Sequence, residues 1–313
     1  MATTLTSTGV LYNDGTTITN SVTATRAIFG YGVDAFGSNV STTNLVNNYG
    51  GVSTNTTGVG TPRYDLAAAG YGGDKAIFGY GWDGSYLSIT NLVTNTGVVG
   101  ANVTGVGTQR YGLAAAGYGG DKAIFGYGTS SVDRVSTTNL VTNTGTVGSD
   151  VTGVGEQRDL LAAAGYGGDK AIFGYGINLS STTTNVTNLV SNTGVVGSNV
   201  TGVGLARYGL AAAGYGGDKA IFGFGLGGGS RVSTTNLVTN TGVVGNNITG
   251  VGTERYYLAA AGYGGDKAIF GYGNSNSGRV SMTNLVSNIG VVSTDASSIG
   301  AARNGLAAAS YSS

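Results

Sequence analysis

Apolar residues along the chain fall into short runs that return at a fixed period. The run Ala-Ile-Phe-Gly-Tyr/Phe-Gly begins at Ala27, Ala76, Ala123, Ala171, Ala220 and Ala268, every 47 to 49 residues. A second run, Leu-Ala-Ala-Ala, begins at Leu66, Leu113, Leu161, Leu210, Leu258 and Leu306. An arginine stands three residues before each: Arg63, Arg110, Arg158, Arg207, Arg255 and Arg303. Self-similarity at this spacing is the mark of a repeat architecture.

Within a unit the apolar runs read as strands. Leu113–Tyr118 meets Gly119-Gly120-Asp121-Lys122, a hairpin turn in which glycine supplies positive φ without strain. Ala123–Gly128 follows as a second strand, and its unbroken apolar run suggests burial on both faces. A variable loop leads to a third strand, Ser136–Val141, and Asn143-Thr144-Gly145 turns the chain into a weak fourth, Thr146–Gly148. Four short strands in about 48 residues is the size of a propeller blade. Helical repeats are a poor alternative, because units so rich in glycine and β-branched residues do not hold helices. The expectation is an all-β, six-bladed β-propeller of four-stranded antiparallel blades over residues 26–313. Residues 1–25 form a separate N-terminal arm or β-hairpin. The two markers are offset by one strand, so Leu306–Tyr311 is expected to close the ring by pairing with the strand at Ala27; Thr16–Val22 is the rival for that place.

Composition narrows the picture further. Glycine contributes 60 residues, proline one and charged residues 10%, without the triplet period of collagen. Net charge is zero, so the basic footprint of a nucleic-acid binder is missing and no nucleic-acid partner is expected. Residues 1–10 have neither the basic start nor the apolar run of a signal peptide, and no apolar stretch approaches a membrane span, so no membrane insertion is expected. Cysteine and histidine are absent. Thiolate and imidazole chemistry and the common zinc sites drop out with them, and no cofactor or metal is expected.

The unit Arg110-Tyr-Gly-Leu-Ala-Ala-Ala-Gly-Tyr-Gly-Gly-Asp-Lys-Ala-Ile-Phe-Gly-Tyr-Gly128 resembles the kelch repeat in its order of arginine, apolar strand, hairpin and aliphatic-aromatic strand. Asn139-Leu-Val-Thr-Asn-Thr-Gly145 resembles the later kelch segment, but Leu140 and Val147 stand near the positions where a Tyr and a Trp are usual, and the glycine pair is replaced by Gly-Tyr-Gly. This resemblance implies a propeller and says little of function. At the other end, Ser7-Thr-Gly-Val-Leu-Tyr-Asn-Asp-Gly-Thr-Thr-Ile-Thr-Asn20 resembles a segment of bacteriophage tail-fibre proteins, with Tyr12 and Ile18 as departures; its plain reading is a hairpin turning at Asn13-Asp14-Gly15.

Few residues invite chemistry. The six arginines suggest a ring near one mouth of an axial channel, either holding an anion or bracing adjacent blades through their fixed donors. The Asp-Lys pairs of the turns read as turn residues, and no phosphate-binding motif or catalytic triad occurs. Variation concentrates in the loops between the second and third strands, as a binding face on a fixed scaffold requires, although drift in unconstrained loops gives the same pattern. Candidate ligand-binding residues there are Phe36, Trp82, Asp83, Tyr86, Asp133, Arg134, Arg231 and Arg279. The functional expectation is a non-enzymatic structural or recognition protein. It would sit on a phage virion as a tail fibre or decoration, held to other virion or surface proteins through residues 1–25. A lectin-like propeller, extracellular or on a cell surface, is the alternative, with a host glycan as ligand.

Overall fold

The computed structural model describes residues 4–6, 9–11, 17–18, 25–297 and 299–312. Among them the regular structure is entirely β, every strand pairing is antiparallel, and no helix is long and apolar enough to cross a membrane. Six three-stranded sheets hold the repeats. Sheet 1 is built from Ala307–Ser312, Thr25–Gly30 and Thr43–Val46; sheet 2 from Ala67–Tyr71, Lys75–Trp82 and Tyr86–Val93. Sheet 3 comprises Ala114–Tyr118, Lys122–Gly126 and Thr138–Val141, and sheet 4 Ala162–Tyr166, Lys170–Gly174 and Thr187–Val190. Sheet 5 comprises Ala211–Tyr215, Lys219–Gly223 and Thr235–Val238, and sheet 6 Ala259–Tyr263, Lys267–Gly271 and Thr283–Val286.

Sheets 2 to 6 open with a tight hairpin. In sheet 3 the strands pair up to Tyr118 opposite Lys122, and Gly119 and Gly120 take φ of 62° and 81°, which glycine alone adopts without cost. Sheet 1 has no hairpin there. Its first strand comes from the other end of the sequence, with Ala307 opposite Gly30 in the register that Ala114 and Gly126 have in sheet 3. Thr17–Ile18 pairs instead with Gly9–Leu11, which also pairs with Thr4–Thr6, so the rival strand does not take this place. The turn anticipated at Asn13-Asp14-Gly15 lies outside the described residues.

The expected fourth strand is reduced to two isolated bridges. Val147 faces Val141 and Val151 faces Thr138, so four steps on the outer segment oppose three on the inner strand. One extra residue is therefore inserted, a bulge that interrupts the ladder. Asn139 repairs the gap. Its side-chain amide donates to Gly148 O at 3.1 Å and to Asp150 Oδ1 at 2.9 Å. The same three-against-four spacing recurs in the other five sheets.

Packing between sheets is repeated as regularly as the sheets. The second strand buries both faces: Ala123 and Phe125 join a cluster with sheet 2, Ile124 and Tyr127 one with sheet 4. Strict alternation would send Tyr127 to the same side as Phe125. The tyrosine instead takes a left-handed φ of 65°, which resets the alternation and turns its ring toward sheet 4. Tyr31, Tyr80, Tyr175, Phe224 and Tyr272 do the same, with φ between 62° and 67°, an uncommon state for a bulky residue. Six apolar clusters join sheet 1 to 2, 2 to 3, 3 to 4, 4 to 5, 5 to 6 and 6 to 1.

The arginines occupy these interfaces, between the sheet that carries each one and the sheet before it. All six have 0% exposure. Arg110 donates from Nη2 to Asn139 Oδ1 at 2.6 Å and from Nη1 to Thr108 O at 3.3 Å, and its guanidinium lies 4.6 Å from the Tyr80 ring of sheet 2. The remaining arginines repeat the arrangement, each bonded to the buried asparagine of its own sheet and stacked on the aromatic ring of the sheet before. Arg303 reaches Asn44 of sheet 1 at 2.7 Å while stacking on Tyr272 of sheet 6.

The glycine before each left-handed aromatic is fixed by contact. A methyl added at Gly126 would lie 2.8 Å from Phe173 Cζ in sheet 4, and equivalent contacts occur at Gly30, Gly79, Gly174, Gly223 and Gly271. Gly126→Ala is therefore expected to destabilise the protein by about 1–3 kcal/mol, as overpacking of a tight core does. Thr144→Ala, at an exposed turn, should change stability by less than about 0.5 kcal/mol. Urea unfolding of the two variants checks both values; equal stabilities would refute the contact.

Candidate functional site

Each arginine is followed by two residues before the Leu-Ala-Ala-Ala strand, and these build the centre of one face. The second member of each pair is Asp65, Gly112, Leu160, Gly209, Tyr257 or Gly305. All six have positive φ, between 49° and 64°. In this conformation their amides point sideways. Gly112 N donates to Asp65 O at 2.8 Å, Leu160 N to Gly112 O at 2.7 Å and Gly209 N to Leu160 O at 2.9 Å. Tyr257 N donates to Gly209 O at 2.7 Å, Gly305 N to Tyr257 O at 2.9 Å and Asp65 N to Gly305 O at 2.8 Å, so the chain of bonds returns to its start. Residues with side chains alternate with glycines because there is no room for more: a methyl on Gly305 would stand 2.9 Å from Asp65 Oδ1 and one on Gly112 3.2 Å from Leu160 Cδ2.

Two cavities meet Asp65 and Tyr257. One, of about 70 Å³, is lined by the six leucines that open the first strands. The other is an open pocket of about 600 Å³ whose walls include Tyr64, Asp65, Trp82, Tyr86, Tyr111, Tyr257, Arg279 and Asn304. Its aromatic wall comes from the long hairpin of sheet 2. Trp82 and Tyr86 lie opposite one another across strands rather than in a free loop, and Asp83-Gly84-Ser85 makes the turn between them. Their rings are 4.8 Å apart and perpendicular. Tyr111, from the start of sheet 3, completes the group at 5.5 Å from Trp82 and 5.6 Å from Tyr86. On the opposite wall Arg279 Nε donates to Asn304 Oδ1 at 2.8 Å, which fixes both side chains.

The pocket thus brings together Trp82, Tyr86 and Arg279 of the eight loop residues singled out by sequence. The other five go elsewhere. Phe36 is 93% exposed at the tip of its loop. Asp83 accepts hydrogen bonds from Ser85 N and Oγ, and Asp133 from Arg134 N, so both serve their own turns. Arg134 is paired to the buried carboxylate of Asp159 at 2.8 Å. Arg231 stacks 5.0 Å over Tyr256 and donates to Asn274 O and Asn276 Oδ1. Tyr64, Asp65, Tyr111, Tyr257 and Asn304 were missed, because they adjoin the repeated arginine and leucine. Their signal was variability: the pair reads Tyr-Asp, Tyr-Gly, Asp-Leu, Tyr-Gly, Tyr-Tyr and Asn-Gly around the six repeats.

Asp65 is the electrostatic centre of the site. Burial, reinforced by the Asp159 carboxylate, pushes its carboxyl up to about 7. Tyr257 is pushed further above its ordinary range by burial and by Asp65 itself. Near neutral pH this carboxyl is therefore poised between its neutral form, which donates and accepts, and its carboxylate, which only accepts, with phenols and one guanidinium around it. Among the described residues no group of three or more acidic, His or Cys side chains could hold a metal ion.

A raised carboxyl pKa has a definite consequence for stability. Between about pH 4 and pH 7 the folded protein keeps a proton on Asp65 that the unfolded chain has released, so this group's contribution falls as pH rises through that window. Because Asp65 is only partly buried, the effect is expected to be on the order of 2 kcal/mol. Asp65→Asn should remove that part of the pH dependence, leaving the variant relatively more stable than the parent at pH 8 than at pH 5. Urea titrations at the two pH values measure it, and parallel curves for the two proteins would rule it out.

A scan against models of protein families finds none that matches this chain, and a search of curated proteins finds no match either.

Proposed function

We propose that the protein is a six-bladed β-propeller that works as a non-enzymatic recognition module, with the Trp82 pocket as its ligand site and a glycan as its ligand. Six sheets packed side by side in a repeating order, with the sixth contacting the first, support the propeller; so does the kelch-like order of residues in each unit. One observation carries the functional reading: three aromatic rings converge beside Asp65, Arg279 and Asn304 in one pocket of about 600 Å³. A pyranose ring offers an apolar face to such rings and hydroxyls to such polar groups. The volume suits a mono- or disaccharide rather than an extended chain, since small-molecule sites span roughly 300–1,000 Å³.

The tail-fibre-like segment at residues 7–20 supports a place on a phage virion. In that setting residues 1–25 attach the module to a neighbouring protein and the pocket faces the host surface. A free or cell-surface lectin uses the same pocket without the attachment.

Screening on a glycan array tests the ligand. The parent protein is expected to bind a discrete set of glycans, and Trp82→Ala to lose about five- to thirtyfold in affinity, since an aromatic platform contributes on the order of 1–2 kcal/mol. A blank array, or binding indifferent to Trp82, would count against the pocket. The setting is tested apart from this. Deleting residues 1–20 should leave the melting temperature of the six sheets unchanged and abolish recovery of the chain in purified particles; normal incorporation would remove the attachment role.

A further inference from the structure

The Gly-Gly-Asp-Lys turns surround a third cavity, of about 480 Å³, that shares no lining residue with the Trp82 pocket. The turns are chained to one another: Gly72 N donates to Asp121 O, Gly119 N to Asp169 O, Gly167 N to Asp218 O and Gly216 N to Asp266 O, at 2.6–2.7 Å. This fixes the spacing of the side chains they carry. Lys75, Lys122, Lys170, Lys219 and Lys267 all line the cavity, whereas none of the aspartates beside them does. The carboxylates are drawn away. Asp121, for example, accepts from Asn143 at 3.0 Å on the outer turn of its own sheet while holding Lys122 Nζ at 2.9 Å. Every one of the five lysines has one such contact, at 2.6–2.9 Å, and an ammonium has three donors. The lysines of five such pairs thus line one open cavity, and in sheet 1 the Asp-Lys positions are Thr25 and Arg26.

We propose that this cavity is a binding site for a compact, multiply charged anion, such as a polyphosphate or polysulfate group, held by the five lysines at once. Oriented cations around a concave site concentrate anions even where the whole molecule is neutral, because the nearer charge dominates and the walls limit screening. Selectivity for a polyanion over a single phosphate or sulfate is the expected consequence, because several charges on one ligand can meet several lysines at once. The lysine side chains are 42–45% exposed, so an incoming anion can reach them and compete with the neighbouring aspartates, themselves 37–38% exposed.

Isothermal titration of the full chain with myo-inositol hexakisphosphate, and separately with inorganic phosphate, tests the proposal at about 0.15 M salt. One hexakisphosphate per chain is expected, with inorganic phosphate at least about tenfold weaker. The triple variant K122Q/K170Q/K219Q should weaken hexakisphosphate binding by on the order of a hundredfold while keeping the parent's melting temperature. The double variant D121N/D169N frees two ammonium groups and should bind more tightly. No binding by the parent, several ions per chain, or an unchanged affinity in the triple variant would overturn the site. If the triple variant fails to fold, a D121N/D169N protein that binds no tighter than the parent overturns it instead. The Trp82 pocket plays no part in any of these outcomes.

Discussion

The structure depends on six arginines kept charged and wholly out of water. An unpaired buried guanidinium costs several kcal/mol, so most of its donors are matched by what surrounds it. Nε of Arg110, Arg158 and Arg303 and Nη1 of Arg303 nevertheless find no hydrogen-bond partner among the described residues. The asparagine of each Thr-Asn-Leu-Val strand accepts from it, a backbone carbonyl two residues earlier accepts from it in five of the six cases, and an aromatic ring from the preceding sheet covers its face. That ring reaches the arginine only through a left-handed backbone. The turn in turn leaves space at the preceding glycine, which the Phe ring of the following sheet fills. Arginine, asparagine, Gly-Tyr-Gly (Gly-Phe-Gly at Phe224) and phenylalanine therefore form one constraint, repeated at six interfaces.

This accounts for the division of labour along the chain. Residues bound into the constraint are nearly invariant from unit to unit, whereas residues beside it vary. The variable ones collect where the backbone bonds from Asp65 round to Gly305 bring six sheets to one centre. The asymmetry of the Trp82 pocket comes from this: its aromatic wall belongs to sheets 2 and 3 and its guanidinium to sheet 6. The opposite end has no such variation in its turns, and there repetition itself supplies the chemistry, through equivalent lysines facing one cavity.

Much of the fold was legible because local rules and the global arrangement agree. Gly-Gly-Asp turns, glycine-punctuated apolar runs and the offset of the two markers predicted the hairpins and the pairing of Ala307–Ser312 with Thr25–Gly30. The outer strand was overestimated, since nothing in Asn-Thr-Gly-Thr-Val shows that the partner segment carries one residue too many. Asn139 was passed over for a related reason. An asparagine between threonine and leucine reads as an ordinary strand residue, and only its 0% exposure and three partners reveal that it joins the bulged segment to the arginine.

The sequence by itself determined the all-β class, the six units, the hairpin register and the loops in which difference is concentrated. These follow from period and backbone preference, which act over a few residues. Only the tertiary structure decided which side chains meet. Tyr64, Asp65, Tyr111, Tyr257 and Asn304 join Trp82 and Arg279 across as many as 240 residues of sequence, from Tyr64 to Asn304. The elevated carboxyl of Asp65 has the same origin, since its burial and its neighbour Asp159 come from sheets that are distant in the chain. Charge, burial and cavity shape are sums over neighbours in space, and the linear pattern does not contain those neighbours until the sheets have packed.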